Sequence, residues 1–191
     1  VTMASAAATG AVDPFVCAKA KISKGMPKPA AVLGIAVTDA FGSGTIDAKT
    51  VGNVCAPATV GGGSILDAGT YLTAFKLKGS AGAPQTGLHL TDRFGTLTVD
   101  TKKPVLLLAP TALGTVPPVR PAHSVDDFTC YKTAISKNTP KLAKGLQAQV
   151  ASAFGPTRTV DLKSLALVCV ATDRGDGVKN PEARLACYKA K

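Results

Sequence analysis

Polar and apolar residues alternate along short stretches of this chain, and glycine and proline bound the stretches. From Leu97 to Lys102, Leu97, Val99 and Thr101 fall on one face and Thr98, Asp100 and Lys102 on the other, the period-two pattern of a half-buried strand. Runs rich in Val, Ile, Thr, Leu and aromatic residues predict opening strands over 15–22, 71–78, 128–135 and 184–190. A second set, 33–40, 87–93 and 146–153, leads into Phe-Gly turns. A third strand then runs through Thr-x-Asp-x-Lys, and a fourth closes each unit near Ala-Pro. Residues 141–153 also carry helical spacing, in Leu142, Gly145, Leu146, Gln149 and Val150, so a short helix is the alternative there.

The strands recur in a fixed order. Cys17, Ala74, Cys130 and Cys187 occupy one slot, about 57 residues apart, in Phe-Val-Cys-Ala-Lys, Leu-Thr-Ala-Phe-Lys, Phe-Thr-Cys-Tyr-Lys and Leu-Ala-Cys-Tyr-Lys. Phe41-Gly42, Phe94-Gly95 and Phe154-Gly155 follow, then Asp47, Asp100 and Asp161 in their Thr-x-Asp-x-Lys segments, then the closes at Cys55, Leu108 and Cys169. The chain therefore reads as three units plus the opening segment of a fourth over 182–191.

Unit two lacks both its opening and its closing cysteine, which is expected if those two positions bond to each other. That reading pairs Cys17 with Cys55 and Cys130 with Cys169. The rival scheme bonds one unit's close to the next unit's opening, as Cys169 with Cys187, and orphans three cysteines instead of one; spacing alone does not decide between them. Disulfides point outside the cytosol, and the small-residue start at Val1 fits a secreted protein whose signal peptide is gone.

Taken together, Cys130-Tyr131-Lys132 and Cys187-Tyr188-Lys189, the Phe-Gly steps, Thr98-Val99-Asp100-Thr101-Lys102-Lys103-Pro104 and the Leu-Cys-x-Pro-like closes resemble a repeat domain of unknown function in secreted bacterial proteins. The resemblance covers all but residues 1–11 and implies a compartment rather than a chemistry. Unit two, without cysteines, and unit one, with Ala18 in place of the tyrosine, depart from the pattern.

The expected fold is all-β: tandem repeats of about 57 residues forming disulfide-stapled antiparallel β-sandwich or barrel-like domains. Gly61-Gly62-Gly63-Ser64 reads as a flexible joint and the prolines at 117, 118 and 121 as a stiff one. The division that follows is an N-terminal arm over 1–11, a domain of units one and two over 12–113, a linker over 114–123, and unit three with the fourth opening strand over 124–191. The longest apolar runs, 30–37 and 105–108, are strand-sized, so no membrane span is expected.

Catalytic groups are scarce. There is one glutamate, Glu182, and the aspartates include the thrice-repeated Asp47, Asp100 and Asp161, which suits a turn or strand-pairing role. His89 reads as a structural strand residue, His123 as solvated, and Arg174-Gly175-Asp176 as a plain turn. Neither a zinc ligand spacing, a calcium loop, a P-loop nor a serine elbow is present, so no enzyme, metal or cofactor is expected. Net charge is +10, from 22 basic and 12 acidic side chains. With few aromatics between the lysines, a solvated strand face or an acidic polysaccharide or anionic cell surface suits this charge better than nucleic acid.

The opening strand of the fourth unit has no unit of its own, and an unpaired edge is a template for another chain. The leading expectation is a secreted structural subunit that self-assembles head to tail by strand addition into an extracellular filament or surface layer. Val1, Met3 and Ala11 in the arm and Leu185, Cys187 and Tyr188 in the last strand are its assembly interface. Folding of that strand back onto unit three is the other possibility, and Cys187 is either a buried thiol or an intermolecular link. The alternative function is a monomeric secreted adhesin or glycan-binding module with a basic face.

Overall fold

Each alternating run becomes a strand, and the long polar-apolar stretches become long strands. The computed structural model describes the backbone of residues 2–6 and residues 12–114 and 122–191 in full. No helix occurs among the described residues, and residues 147–152, where a helix was the alternative, are a strand. The strands are β1 (Thr2–Ala6), β2 (Phe15–Lys19), β3 (Val32–Asp39), β4 (Gly42–Val60), β5 (Tyr71–Ser80), β6 (Leu88–Asp92), β7 (Gly95–Thr111), β8 (Asp127–Ile135), β9 (Gln147–Ser152), β10 (Gly155–Asp173) and β11 (Arg184–Ala190). A short strand, a hairpin strand and a long strand thus follow one another three times. The expected third and fourth strands of each unit are one continuous strand, not two. Register shifts break the pairing of β4 between Ala48 and Asn53, of β7 between Thr101 and Leu106, and of β10 between Leu162 and Leu167. Such bulges bend a strand without ending it, so its first half serves a hairpin and its second half serves another partner.

All the pairings are antiparallel, and they close on themselves. β1 pairs with β2, β2 with β4, β4 with β5, β5 with β7, β7 with β8, β8 with β10, β10 with β11, and β11 with β1. That is an eight-stranded barrel. The hairpin strands stand outside it: among the described residues β6 pairs with β7 alone, β3 pairs with β4 and with the end of β10, and β9 pairs with β10 and with the end of β4. The boundary expected near 113–123 is not one the hydrogen bonding respects, because β7 and β8 pair from Val99–Ile135 to Leu108–Phe128.

Alternation along the barrel strands divides their side chains between lumen and outer wall. Phe15, Leu72, Phe128 and Leu185, one from each opening strand, fill one level of the lumen and are all buried. Each such side chain contributes about 1.5–3 kcal/mol by leaving water. Cys17, Ala74, Cys130 and Cys187, two residues further on, form the next level. The intervening residues face outward: Val16, Ala186, Tyr131 and Tyr188 pack beneath the hairpins with Leu90, Val99, Val150 and Val160.

The Phe-Gly steps are the hairpin turns. Gly42, Gly95 and Gly155 have φ of 126°, 123° and 145°, a region L side chains rarely enter, so glycine is required there. Asp39 and Asp92 brace the first two turns, their Oδ1 atoms accepting hydrogen bonds from the Phe41 and Phe94 amides at 2.8 and 2.7 Å. Asp47 and Asp100 likewise accept from the amides of Gly34 and Gly87, at 3.0 and 2.9 Å, and Asp161 accepts from the Gln147 side chain at 2.9 Å, so each ties the strands of its hairpin together.

Candidate functional site

Two disulfides staple neighbouring barrel strands. Cys17 joins Cys55 and Cys130 joins Cys169, each at directly opposed positions with Cα atoms 3.9 Å apart. In the second triplet Ala74 faces Leu108 across the same register. At the fourth opening strand Cys187 faces Ala4. β1 therefore stands beside β11 where β4, β7 and β10 stand beside β2, β5 and β8, and Ala4 occupies the position held by Cys55, Leu108 and Cys169 in those pairs. Met3 lies opposite Tyr188 and Ala6 opposite Leu185. Of the expected interface residues, Met3, Leu185, Cys187 and Tyr188 thus lie on one pair of strands in a single chain, and Val1 and Ala11 lie outside the described residues. Cys187 is a free thiol, buried, with its Sγ 3.6 Å from Sγ of Cys169, and burial pushes its pKa up to about 12.

Tyrosines of the opening strands latch the turns over the barrel wall. The Tyr131 hydroxyl donates to Asp39 Oδ2 at 2.7 Å while its ring meets Phe41 edge to face at 5.0 Å. The Tyr188 hydroxyl donates to Asp92 Oδ2 at 2.7 Å, and its ring meets Phe94 edge to face at 5.3 Å. Burial, then the hydrogen bond to the carboxylate, pushes both phenols well above their usual range. Burial is also the main influence on Asp39, raising its pKa against the lowering effect of the Tyr131 bond. Both aspartates lie two residues before a Phe-Gly step, in Thr-Asp-Ala-Phe-Gly and Thr-Asp-Arg-Phe-Gly, a signal the sequence reading passed over. The third turn has Ser152 at that place, and its hydroxyl oxygen accepts from the Phe154 amide at 3.3 Å.

No family model, curated protein or solved structure matches the chain. What the molecule can do must follow from its own geometry, and two features concentrate it. One is the gap between β11 and β2 that β1 fills. The other is a mouth of the barrel. Beyond the level of Cys17, Ala74, Cys130 and Cys187 the lumen opens into a cavity of about 180 Å³, lined by those four residues with Asn53, Leu106, Leu108, Ala166, Leu167 and Lys189. An eight-stranded barrel is about wide enough to be filled by side chains or to hold one small ligand. Here Phe15 and Phe128 fill the deeper level, while small side chains leave the upper one open.

The remaining candidates make local contacts. His89 Nδ1 lies 3.4 Å from Thr98 Oγ1 on the β6–β7 hairpin, and His123 Nδ1 lies 2.8 Å from the Val125 carbonyl oxygen. Arg174 pairs with Asp127 at 2.9 Å, and Asp173 Oδ1 accepts from the amides of Gly175 and Gly177, so Arg174-Gly175-Asp176 lies in an internally bonded turn. Among the described residues no group of three metal-ligating side chains gathers, and no helix is long and apolar enough to cross a membrane.

Proposed function

We propose that this chain is a secreted, disulfide-stapled structural subunit that assembles by strand addition into an extracellular filament or surface layer. It is built on this reading from three repeats of about 57 residues and the opening strand of a fourth. On this reading β1 stands beside β11 as a long strand stands beside each of the other opening strands. One observation carries the proposal: the barrel closes only through β1, which pairs with β11 from Thr2–Lys189 to Ala6–Leu185 and with β2 from Thr2–Cys17 to Ala4–Phe15. A segment that completes a barrel from the far end of the sequence can complete a neighbour's barrel through the same hydrogen bonds. Donor and acceptor lie at different places on each subunit, so the exchange is head to tail and propagates. Two disulfides are compatible with an oxidising compartment outside the cell.

Ala4→Cys tests this directly, because Cys187 lies opposite that position. In the native secreted protein, oxidation links residue 4 to residue 187 of whichever copy receives the strand. The expected result is a covalent ladder on a non-reducing gel, with filaments in negative-stain electron micrographs. Quantitative internal cross-linking at every concentration, with uniform monomeric particles, would falsify strand exchange.

A basic glycan-binding module is the second reading. It is favoured by Lys76, Lys78 and Lys103, which line a groove with Pro104 where β5 leaves β7 to pair with β4.

A further inference from the structure

Each opening strand carries a lysine two residues beyond its lumen-facing Cys or Ala: Lys19, Lys76, Lys132 and Lys189. Two residues along a strand restores the same face. Pairing with the adjacent long strand, or with β1, steps without a shift from the upper lumen level to the lysine level in all four cases. The lysines therefore share one level around the mouth, directly above the apolar cavity, and all four are exposed. The residues opposite them are Asn53, Leu106, Leu167 and Thr2, so this level of the barrel contains no carboxylate. The ion pairs between described residues use Lys49, Lys163 and Arg174 and none of these four.

Successive opening strands are two strand spacings apart, about 10 Å, close to the Debye length of about 8 Å at physiological salt. Four exposed ammonium groups at that spacing are largely screened from one another and keep a weak repulsion, while an anion placed between them lies nearer to each than they lie to one another. An anion at the centre of the mouth relieves that repulsion. Beneath it lies a mostly apolar space of about 180 Å³, open on one side, whose lining includes Lys189 but no carboxylate. That exceeds the roughly 150 Å³ apolar cavity known to accept benzene. The site is thus two-part: apolar below, cationic above.

We infer that this mouth binds a small amphipathic anion, an aryl or short alkyl group bearing one sulfonate, carboxylate or phosphate, with the apolar part in the lumen and the charge among Lys19, Lys76, Lys132 and Lys189. The site is independent of whether β1 comes from the same chain or from a neighbour, since either supplies the same wall.

Benzenesulfonate is the probe, with benzyl alcohol as its neutral counterpart, followed by calorimetry and by amide shifts in the intact protein. Saturable shifts centred on Cys17, Ala74, Cys130 and Cys187 are expected, with benzyl alcohol about tenfold weaker or worse. Replacing all four lysines by glutamine lowers the affinity about tenfold or more, and rising salt weakens binding to the wild type. Ala74→Leu fills the cavity and abolishes binding. The lysine changes are at exposed positions, so unchanged affinity in that variant overturns the inference even if Ala74→Leu fails to fold. Saturation elsewhere on the surface overturns it, as does binding of a sulfated polysaccharide without any of benzenesulfonate.

Discussion

At the scale of single residues, the hairpins are held by carboxylates whose surroundings differ. Asp39 and Asp92 each accept one bond from a turn amide and one from a tyrosine hydroxyl. Tyr131→Phe or Tyr188→Phe keeps the ring contact but strands the second oxygen, so each is expected to cost about 1–2 kcal/mol in a urea melt. Asp47, Asp100 and Asp161 are held below the ordinary value of 3.8, chiefly by the Gly34 amide, the Ser136 hydroxyl and the Gln147 side chain respectively. A carboxylate whose folded pKa is depressed contributes stability above its unfolded pKa and loses it as pH falls through the folded one. The urea midpoint should therefore hold from neutrality to about pH 5 and fall below about pH 4, less steeply in Asp100→Asn. Asp39, raised by burial, acts in the opposite sense, and an acid profile without any fall would contradict this balance.

Strands and their staples set the next scale. The Cys17–Cys55 bond closes a separation of 38 residues. In the chain-entropy picture a loop of that length contributes about 4 kcal/mol, so Cys17→Ala with Cys55→Ala should lower the unfolding free energy by about that amount, and a loss under about 1 kcal/mol would mean that the bond holds little. The opening and hairpin strands were legible in sequence because alternation, turn glycines and the cysteine slot coincide. The long strands were not. Ala-Pro at 56–57 and 109–110 reads as an end, yet β4 and β7 pass through it, and nothing local announces the bulges that let one strand serve two partners. The tyrosine latches went unread for a related reason: Tyr131 and Asp39 are 92 residues apart.

For the molecule as a whole, ring closure was the least legible feature. Thr-Met-Ala-Ser-Ala in β1 has few of the β-branched or aromatic residues that mark a strand, and its strand character comes from two ready-made edges on either side. The lysine level was hidden likewise, because alternation tells which residues share a face but not which face encloses a lumen. Ala4→Cys is the prediction that belongs to this scale, since it reports which molecule completes each barrel.

The β1–β11 pairing also has a consequence in time. Residues 2–4 find one partner close by in β2, but residues 2–6 find the second only when residues 185–189 exist, the largest sequence separation of any strand pairing among the described residues. Contacts that span so much chain form late and slowly. Throughout synthesis and collapse, β1 precedes its slot, and once seven of the barrel strands have paired, the slot waits on whichever copy of β1 arrives first. Capture from within is a race against capture from outside, whose speed rises with the concentration of neighbours. If β1 passes between copies as proposed, dilute protein closes single barrels and concentrated protein forms chains of them.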